Sequence, residues 1–178
     1  MKRRTVEITS DSCEFPSAES PLGERRHLAF HPEGFTWDGV TPAVYKSSGD
    51  LPAGMSWRDV IRQTLIGGAE GAQFQLRYFE IAPGGFSSLE KHAHVHAVIV
   101  LRGAGDVIVG PEVFRVQPFD VVYVPPSTPH QFVNAGPEAF GFLCPVDADR
   151  DRPQALTPEE LAALLEHPAI RQAVRGVR

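Results

Sequence analysis

Short apolar runs rich in β-branched residues recur along the middle of this chain, and Gly and Pro separate them. Such runs favour β-strands over helices, because branched side chains pack well on a pleated surface. The segments between the runs, such as 83–85 and 103–105, have the composition of turns. Many short strands at even spacing are typical of an all-β sandwich or barrel. We predict strands over residues 40–45, 60–66, 73–81, 97–101, 106–109, 113–116, 121–124, 131–133 and 140–146.

Both ends of the chain differ from this middle region. Residues 1–35 are rich in Ser, Pro, Glu and Arg without a sustained period, which indicates an arm. Near the other end, Thr157 and Glu160 have the spacing of a helix capping box, and the helix should end at Pro168. Its short leucine stripe would cover an end of the barrel or contact a second subunit. The chain therefore divides into an arm with an extra strand (1–57), a β-barrel (58–147) and a tail with a short helix (148–178).

Length, charge and hydropathy exclude several classes of protein. A chain of 178 residues with 42% hydrophobic residues fits a single globular domain with one core. The formal net charge of −5, with the basic residues scattered, argues against a nucleic-acid surface. No apolar segment approaches the roughly 20 residues that cross a bilayer, and the N-terminus lacks the apolar core of a signal peptide. We expect a cytoplasmic protein with no nucleic-acid or membrane partner, in which Cys13 and Cys144 stay reduced.

Three of the seven histidines lie within five residues, at positions 92, 94 and 96. The apolar run from Val98 to Leu101 predicts a strand here, and alternate side chains of a strand point to the same face. Glu90 is in the same register, so one face would carry a carboxylate and three imidazoles. Burying such a set without a shared partner is costly, whereas imidazole and carboxylate together bind first-row transition metals. The segment therefore predicts half of a metal site.

The spacing of this segment resembles the first motif of the cupin superfamily, which is Gly, five residues, His-x-His, three or four residues, Glu, six residues, Gly. Five residues separate Gly84 from Glu90, and His92, His96 and Gly103 follow at the intervals of the motif. Two residue types differ. Glu90 occupies the place of the first histidine, and His96 occupies the place of the glutamate.

A second cupin motif follows, with the pattern Gly, five residues, Pro-x-Gly-x-x-His-x-x-x-Asn. Pro125, His130 and Asn134 match it, whereas Phe119 and Ser127 replace its two glycines. Fifteen residues separate the two motifs, close to the shortest spacing in the family. Two motifs in the right order with the right gap make the resemblance specific, and it covers about residues 58–147.

The resemblance implies a double-stranded β-helix, the jelly-roll barrel of cupins, with metal ligands converging inside it. Carried over by position, the ligands would be Glu90, His92, His96 and His130. The cofactor would be a divalent transition metal ion, namely Fe, Mn, Ni, Cu or Zn. The resemblance also implies a homodimer, because cupins commonly pair through open barrel edges.

His94 shares the parity of its neighbours, but the cupin spacing skips it. It could replace Glu90 or His96 as a ligand, or lie above the metal as a catalytic acid or base. Glu90 could then be the acceptor that orients a ligating imidazole. We expect His94 to be catalytic and not a ligand.

Three imidazoles and one carboxylate around a divalent ion leave a net charge of about +1, which favours a small anionic or enolisable substrate. Val98 and Val100 share the parity of the ligands and give the pocket apolar walls. We expect a metal-dependent enzyme, foremost a dioxygenase-type oxidoreductase, with isomerase or decarboxylase chemistry as further options. The alternative is a non-catalytic cupin that senses or stores a metal or small ligand. Arg77, Tyr123 and Cys144 are further candidate polar groups of the pocket, although each residue type is more common in packing or outward positions.

Overall fold

The computed structural model describes residues 20–23, 25–46 and 55–177, so Cys13 and most of the predicted arm lie outside it. Within these ranges the chain forms eleven strands and two short helices. The strands are β1 (Phe30–His31), β2 (Thr36–Trp37), β3 (Ala43–Val44), β4 (Arg58–Ile66), β5 (Phe74–Phe86), β6 (His96–Arg102), β7 (Gly105–Val109), β8 (Glu112–Val116), β9 (Val121–Val124), β10 (His130–Val133) and β11 (Phe140–Asp147). The helices are α1 (Pro158–Leu165) and α2 (Pro168–Ala173), and a single 3-10 turn spans Gly68–Glu70.

Nine of these strands form one antiparallel sheet that curls into two facing layers. The hydrogen-bonded order is β8-β7-β10-β5-β11-β6-β9, with β4 beside β5 and β3 beside β4. β5 belongs to both layers, because it pairs with β4 and β11 along most of its length and its last residue, Phe86, also pairs with Val133 of β10. The all-β jelly-roll barrel predicted for this chain is confirmed.

β5 runs through a segment that the sequence predicts to be a turn. Residues 83–85 stay inside the strand, and Gly84 adopts a φ of 77° there. Glycine reaches this left-handed conformation without the steric cost that other residues have. The amide of Gly84 then bonds to the carbonyl of Asn134, 2.9 Å away, beyond the end of β10. The glycine therefore bends one strand from the first layer into the second.

The barrel core lies between the two layers and follows the period of two expected for strands with one covered face. In β6, Val98 and Val100 are fully buried whereas Ala97 and Ile99 are exposed. A cluster of aromatic rings continues this core, and the rings of Phe132 and Phe142 stack with centroids 4.5 Å apart. The part of the interior formed by β6 and these rings is therefore apolar.

The segments outside the barrel cover its outer faces. Phe35 and Trp37 of the N-terminal hairpin pack on Tyr78 of β5, with ring centroids 5.1 and 5.2 Å away. On the other layer, Ile170 of α2 packs in one apolar cluster with Ile108 of β7. The C-terminal helices therefore cover a side of the sheet, where the sequence analysis placed a single helix at the end of the barrel or against a second subunit.

The predicted capping box is present at the start of α1. The hydroxyl of Thr157 accepts a hydrogen bond from the amide of Glu160, and the carboxylate of Glu160 accepts one from the amide of Thr157. Pro168 ends α1 as predicted, but it also begins α2, which the sequence analysis missed. Proline is favoured at the first helical position, so the same residue can stop one helix and start the next. Neither helix is long and apolar enough to cross a membrane, among the residues that the structure describes.

Candidate metal centre

The histidine segment is a bent loop between β5 and β6, not a continuous strand. Glu90 forms an isolated bridge with His130, residues 92–95 are irregular, and β6 begins only at His96. The prediction that one strand presents all four side chains on one face is therefore wrong for residues 90–95.

Asp151 gives the physical reason for this bend. Its carboxylate accepts hydrogen bonds from the amide of Ala93, at 2.6 Å, and from the amide of His94, at 3.1 Å. The carbonyl of His92 accepts a further bond from the amide of Ser127. These backbone groups are therefore bonded outside a strand ladder, which the local sequence pattern cannot show.

The four ligand candidates nevertheless converge, with His92 at the centre. The His92 ring centroid lies 4.6 Å from that of His96 and 4.8 Å from that of His130. A carboxylate oxygen of Glu90 and ring nitrogens of His92 and His130 all lie within 4.8 Å of one another. The Nε2 atoms of His92 and His96 are 2.8 Å apart. This cluster could hold a metal ion.

Hydrogen bonds on the outer side of the rings determine which nitrogen faces the cluster. Nδ1 of His92 lies 2.8 Å from the carbonyl oxygen of His94, and Nδ1 of His130 lies 2.9 Å from that of Thr128. Because a carbonyl can only accept, each Nδ1 donates and each Nε2 keeps its lone pair. Two nitrogens bound at right angles about 2.1 Å from one ion lie about 3 Å apart, close to the separation of the His92 and His96 nitrogens. The donor set therefore fits a divalent transition metal.

Burial keeps these imidazoles neutral, which is the form that binds a metal. Burial, together with the neighbouring His130 and His94, lowers the pKa of His92 to about 4. Burial and the surrounding imidazoles lower the pKa of His96 further. Burial also lowers the pKa of His130.

Glu90 is buried and is held by two donors that the sequence analysis missed. The side chains of Lys46 and Ser88 both donate to its Oε2. Burial would raise the pKa of Glu90, but the charge of Lys46, the adjacent His130 ring and these hydrogen bonds lower it overall. Glu90 is therefore an anion, with lone pairs left for a metal. Lys46 follows β3, 44 residues before Glu90 in the sequence, and no spacing rule links the two.

His94 stacks on His92. The two rings are nearly parallel, at an angle of 4°, with centroids 3.6 Å apart. A ring nitrogen of His94 also lies within 4.8 Å of ring nitrogens of His92 and His96, so His94 is close enough to share a metal with them. Nδ1 of His94 lies 2.7 Å from Oδ1 of Asp151. Partial burial raises the pKa of Asp151, but the hydrogen bonds from Ala93 and His94 outweigh it and lower that pKa to about 2. An ionised carboxylate therefore orients the His94 ring, and Asp151 is a site residue that no motif indicated.

The three further candidates take different places. Sγ of Cys144 is buried 3.0 Å from Nδ1 of His96, and burial raises its pKa to about 11, so it is a thiol. Arg77 is buried on the inner face of β5, next to Cys144 on β11. Tyr123 is exposed on the outer face of β9 and does not reach the cluster.

Comparisons with known proteins agree with this architecture. The cupin domain family (Cupin_2) matches residues 77–146. The chain is also 43% identical over 143 residues to the 1-methylthio-D-xylulose 5-phosphate methylsulfurylase of Rhodospirillum rubrum. The matched region covers 80% of this chain and 88% of that protein. This chain belongs to the cupin superfamily.

Two crystal structures of other cupins share this fold. A cupin-2 domain from Rhodospirillum rubrum superposes with a TM-score of 0.69 at 43% identity, over 77% of this chain and 88% of that one. A cupin 2 conserved barrel domain protein from Rhodopseudomonas palustris gives a TM-score of 0.72 at 41% identity, over 83% of this cupin and 98% of that one. The similarity extends beyond the barrel motifs to most of the described chain.

Proposed function

We propose that this cupin is a metal-dependent enzyme that removes the methylthio group from a phosphorylated ketose, 1-methylthio-D-xylulose 5-phosphate or a close analogue. The observation that carries the proposal is that His96 adjoins the triad of Glu90, His92 and His130, in a chain that matches the Rhodospirillum rubrum methylsulfurylase over four fifths of its length. The dioxygenase-type activity expected from the sequence would use the same cluster and remains a second candidate.

The chemistry of such a substrate suits the charges of the site. Its C1–S bond lies next to the C2 carbonyl, so cleavage with the electron pair left on carbon gives an enolate. A divalent metal held by the cluster would supply a Lewis acid for the carbonyl oxygen. Lys46 adds a largely buried positive charge beside Glu90, with 13% of its side chain exposed. An environment with this net positive charge favours both an enolate and a phosphate ester.

The proposed reaction is balanced when an external thiol accepts the methylthio group. An S–S bond forms between the thiol and the methylthio sulfur as the C1–S bond breaks, and C1 then takes up a proton. The carbon is reduced, the thiol is oxidised to a mixed disulfide, and O₂ is not consumed. Nε2 of His94, whose ring is oriented by Asp151, would deliver the proton to C1.

The test is to load the purified protein with Fe, Mn, Ni, Cu or Zn in turn and to follow this substrate by mass spectrometry, with and without a thiol. We expect a 1-deoxyketose phosphate and a methyl disulfide of the thiol, with no O₂ uptake. His92→Ala should abolish the turnover, whereas His31→Ala, which changes an exposed histidine bonded to Asp38, should retain it.

Other outcomes select the other candidates. Stoichiometric O₂ uptake with an enolisable substrate would favour the dioxygenase. If no metal-loaded form turns over any substrate but one form binds a ligand tightly and stoichiometrically, the protein is a binding module.

A further inference from the structure

Arg77 is a buried arginine whose charge the candidate metal centre does not use. It lies on the inner face of β5, in register with the core residues Phe79 and Ile81, and only 7% of it is exposed. Taking a guanidinium out of water is costly unless an anion or several acceptors compensate for the lost hydration. The barrel interior therefore holds a positive charge that an anionic partner would stabilise.

The described part of the chain offers Arg77 no anionic partner. None of the ion pairs found there includes Arg77, and its Nε is buried without a hydrogen-bond acceptor. Its guanidinium lies over the ring of Phe79, 5.2 Å from the centroid, and bonds to the thiol of Cys144, and neither of these partners is an anion. Burial, together with the charges of Arg150 and Arg62, lowers the pKa of Arg77 to about 10, so it remains positively charged at neutral pH.

The strand register places this charge beside the metal cluster. Arg77 is opposite Cys144 on β11, and Sγ of Cys144 contacts Nδ1 of His96. Arg62 of β4 is opposite Phe79, so it shares the inner face with Arg77. β5 and β6 flank β11, and neighbouring strands are about 4.8 Å apart, so Arg77 and His96 lie on strands roughly 10 Å apart. A five-carbon chain with a terminal phosphate spans a comparable length.

We propose that Arg77 binds the phosphate group of the substrate and thereby selects a phosphorylated ketose, with Arg62 and Arg150 adding positive charge around it. This inference rests on the proposed function, because it takes the metal cluster as the place where the sugar end binds. The planar guanidinium offers two parallel N–H donors, which match the oxygens of a phosphate. A phosphate at this position would satisfy the buried Nε.

Arg77→Met tests the proposal, because it keeps an unbranched apolar stem and removes the charged guanidinium. We expect the KM for the phosphorylated methylthio-ketose to rise roughly 10- to 100-fold, with a smaller change in kcat, since charge-assisted hydrogen bonds to phosphate are lost. The KM for the dephosphorylated analogue should change less than threefold. Arg77→Lys keeps the charge but lacks the planar donors, and it should give an intermediate KM. Arg115→Met, which removes an exposed arginine paired with Asp106, should leave the KM for the phosphorylated substrate unchanged.

Inorganic phosphate gives a readout that does not depend on turnover. It should raise the Tm of the metal-loaded wild-type protein and of Arg115→Met, but not that of Arg77→Met. If the methylthio-ketose phosphate is not turned over while phosphate still stabilises only the proteins that retain Arg77, the proposed function fails and the phosphate site stands. If turnover occurs but Arg77→Met or Arg77→Lys retains the wild-type KM and the Tm shift, the phosphate site is wrong.

Discussion

The two ring nitrogens of His92 have different partners, and this difference makes it the central ligand candidate. Nδ1 donates to the backbone carbonyl of His94, while Nε2 faces the nitrogen of His96. A backbone acceptor cannot move away without unfolding the loop, so the ring is held with its lone pair directed at the cluster. His130 is fixed in the same way by the carbonyl of Thr128.

The first prediction concerns metal content. His92→Ala and His130→Ala should each lower the bound metal from about one ion per chain to a small fraction, because each removes a nitrogen ligand. Elemental analysis after dialysis against a weak chelator measures this, with His31→Ala as the control. Circular dichroism should show that both variants keep their sheet structure, since the barrel core does not depend on the metal. Full metal retention in either variant would contradict the ligand assignment.

The second prediction separates His94 from the ligands. His94→Ala should retain the metal and lower kcat by about 100-fold or more, the range expected when a positioned acid or base is removed. Asp151→Asn should also lower kcat, because its amide oxygen accepts from the ring without a charge and its amide nitrogen cannot accept from the backbone of Ala93. Loss of metal from His94→Ala, with metal kept in Glu90→Ala, would make His94 a ligand and Glu90 an orienting acceptor.

The third prediction concerns pH. The pKa of His92 falls from 6.5 in a model peptide to about 4 in the folded protein, so between these values the unfolded chain binds more protons. The free energy of unfolding of the metal-free protein should therefore be highest above pH 6.5 and decrease as the pH falls towards 4. Urea denaturation at pH 7.5, 6.0 and 5.0 measures this dependence, and in His92→Gln it should be weaker. A stability that rises on acidification through this window would contradict the prediction.

The sequence could predict the ligand candidates but not the groups that hold them. Glu90, His92 and His96 lie close together in one motif, so their spacing alone suggested a shared role. Lys46 precedes the barrel segment and contacts Glu90, and Asp151 follows that segment and contacts His94. Their contacts depend on tertiary folding, which no local pattern encodes.

The loop that carries the histidines shows where periodicity failed. Alternation of polar side chains predicted a strand over residues 90–96. Instead, the carboxylate of Asp151 accepts hydrogen bonds from two backbone amides of this segment, which are then not available to a neighbouring strand. A side chain from the C-terminal segment thus overrides local β-propensity. The strands with apolar alternation, such as β6 and β9, occur where they were predicted, because burial of one face determines their register.

The C-terminal helices supply the fourth prediction. Ile170 of α2 is fully buried against the outer face of β7, and the side chain of Gln131 donates to the carbonyl of Arg175 just beyond that helix. Ile170→Ala should lower the free energy of unfolding by about 2–5 kcal/mol, and Ile170→Val by about 0.5–1.5 kcal/mol. Chemical denaturation measures both values. Metal content should not change, because the apolar cluster around Ile170 is separate from the barrel core. A loss of metal would mean that the helices also support the metal site.

The barrel as a whole could be predicted from the sequence because many short strands at even spacing have few compact arrangements. The bend of β5 at Gly84 could not be predicted from the sequence, since the same Pro-Gly-Gly composition also forms turns. The two layers depend on that bend, because it lets β5 pair with β10 as well as with β11.

One edge of the sheet exposes an apolar surface. β9 is the last strand of the sheet order, and within the described residues no strand pairs with its outer side. Val121 and Tyr123 of β9 are 70% and 59% exposed, and Ile99 of β6 lies opposite Val121 on the same face. An open apolar strand edge favours pairing with another chain, and a second copy can pair with it antiparallel about a two-fold axis.

We therefore propose that the protein is a homodimer joined along β9, and the fifth prediction tests this interface. The wild-type protein should elute as a dimer at micromolar concentration in size exclusion with light scattering. The double substitution Val121→Lys and Tyr123→Lys should give a folded monomer, because like charges would face each other across the two-fold axis. Phe114→Lys, at the opposite edge strand β8, should remain dimeric. A monomeric wild type would remove the proposal, and a double variant that stays dimeric would place the interface on another surface. Val98 and Val100 of β6 point into the barrel, on the side of the metal cluster, whereas Ile99 of the same strand points outward to the proposed interface. The substitutions therefore lie on the opposite side of the sheet from the metal, and the monomeric variant should still bind it.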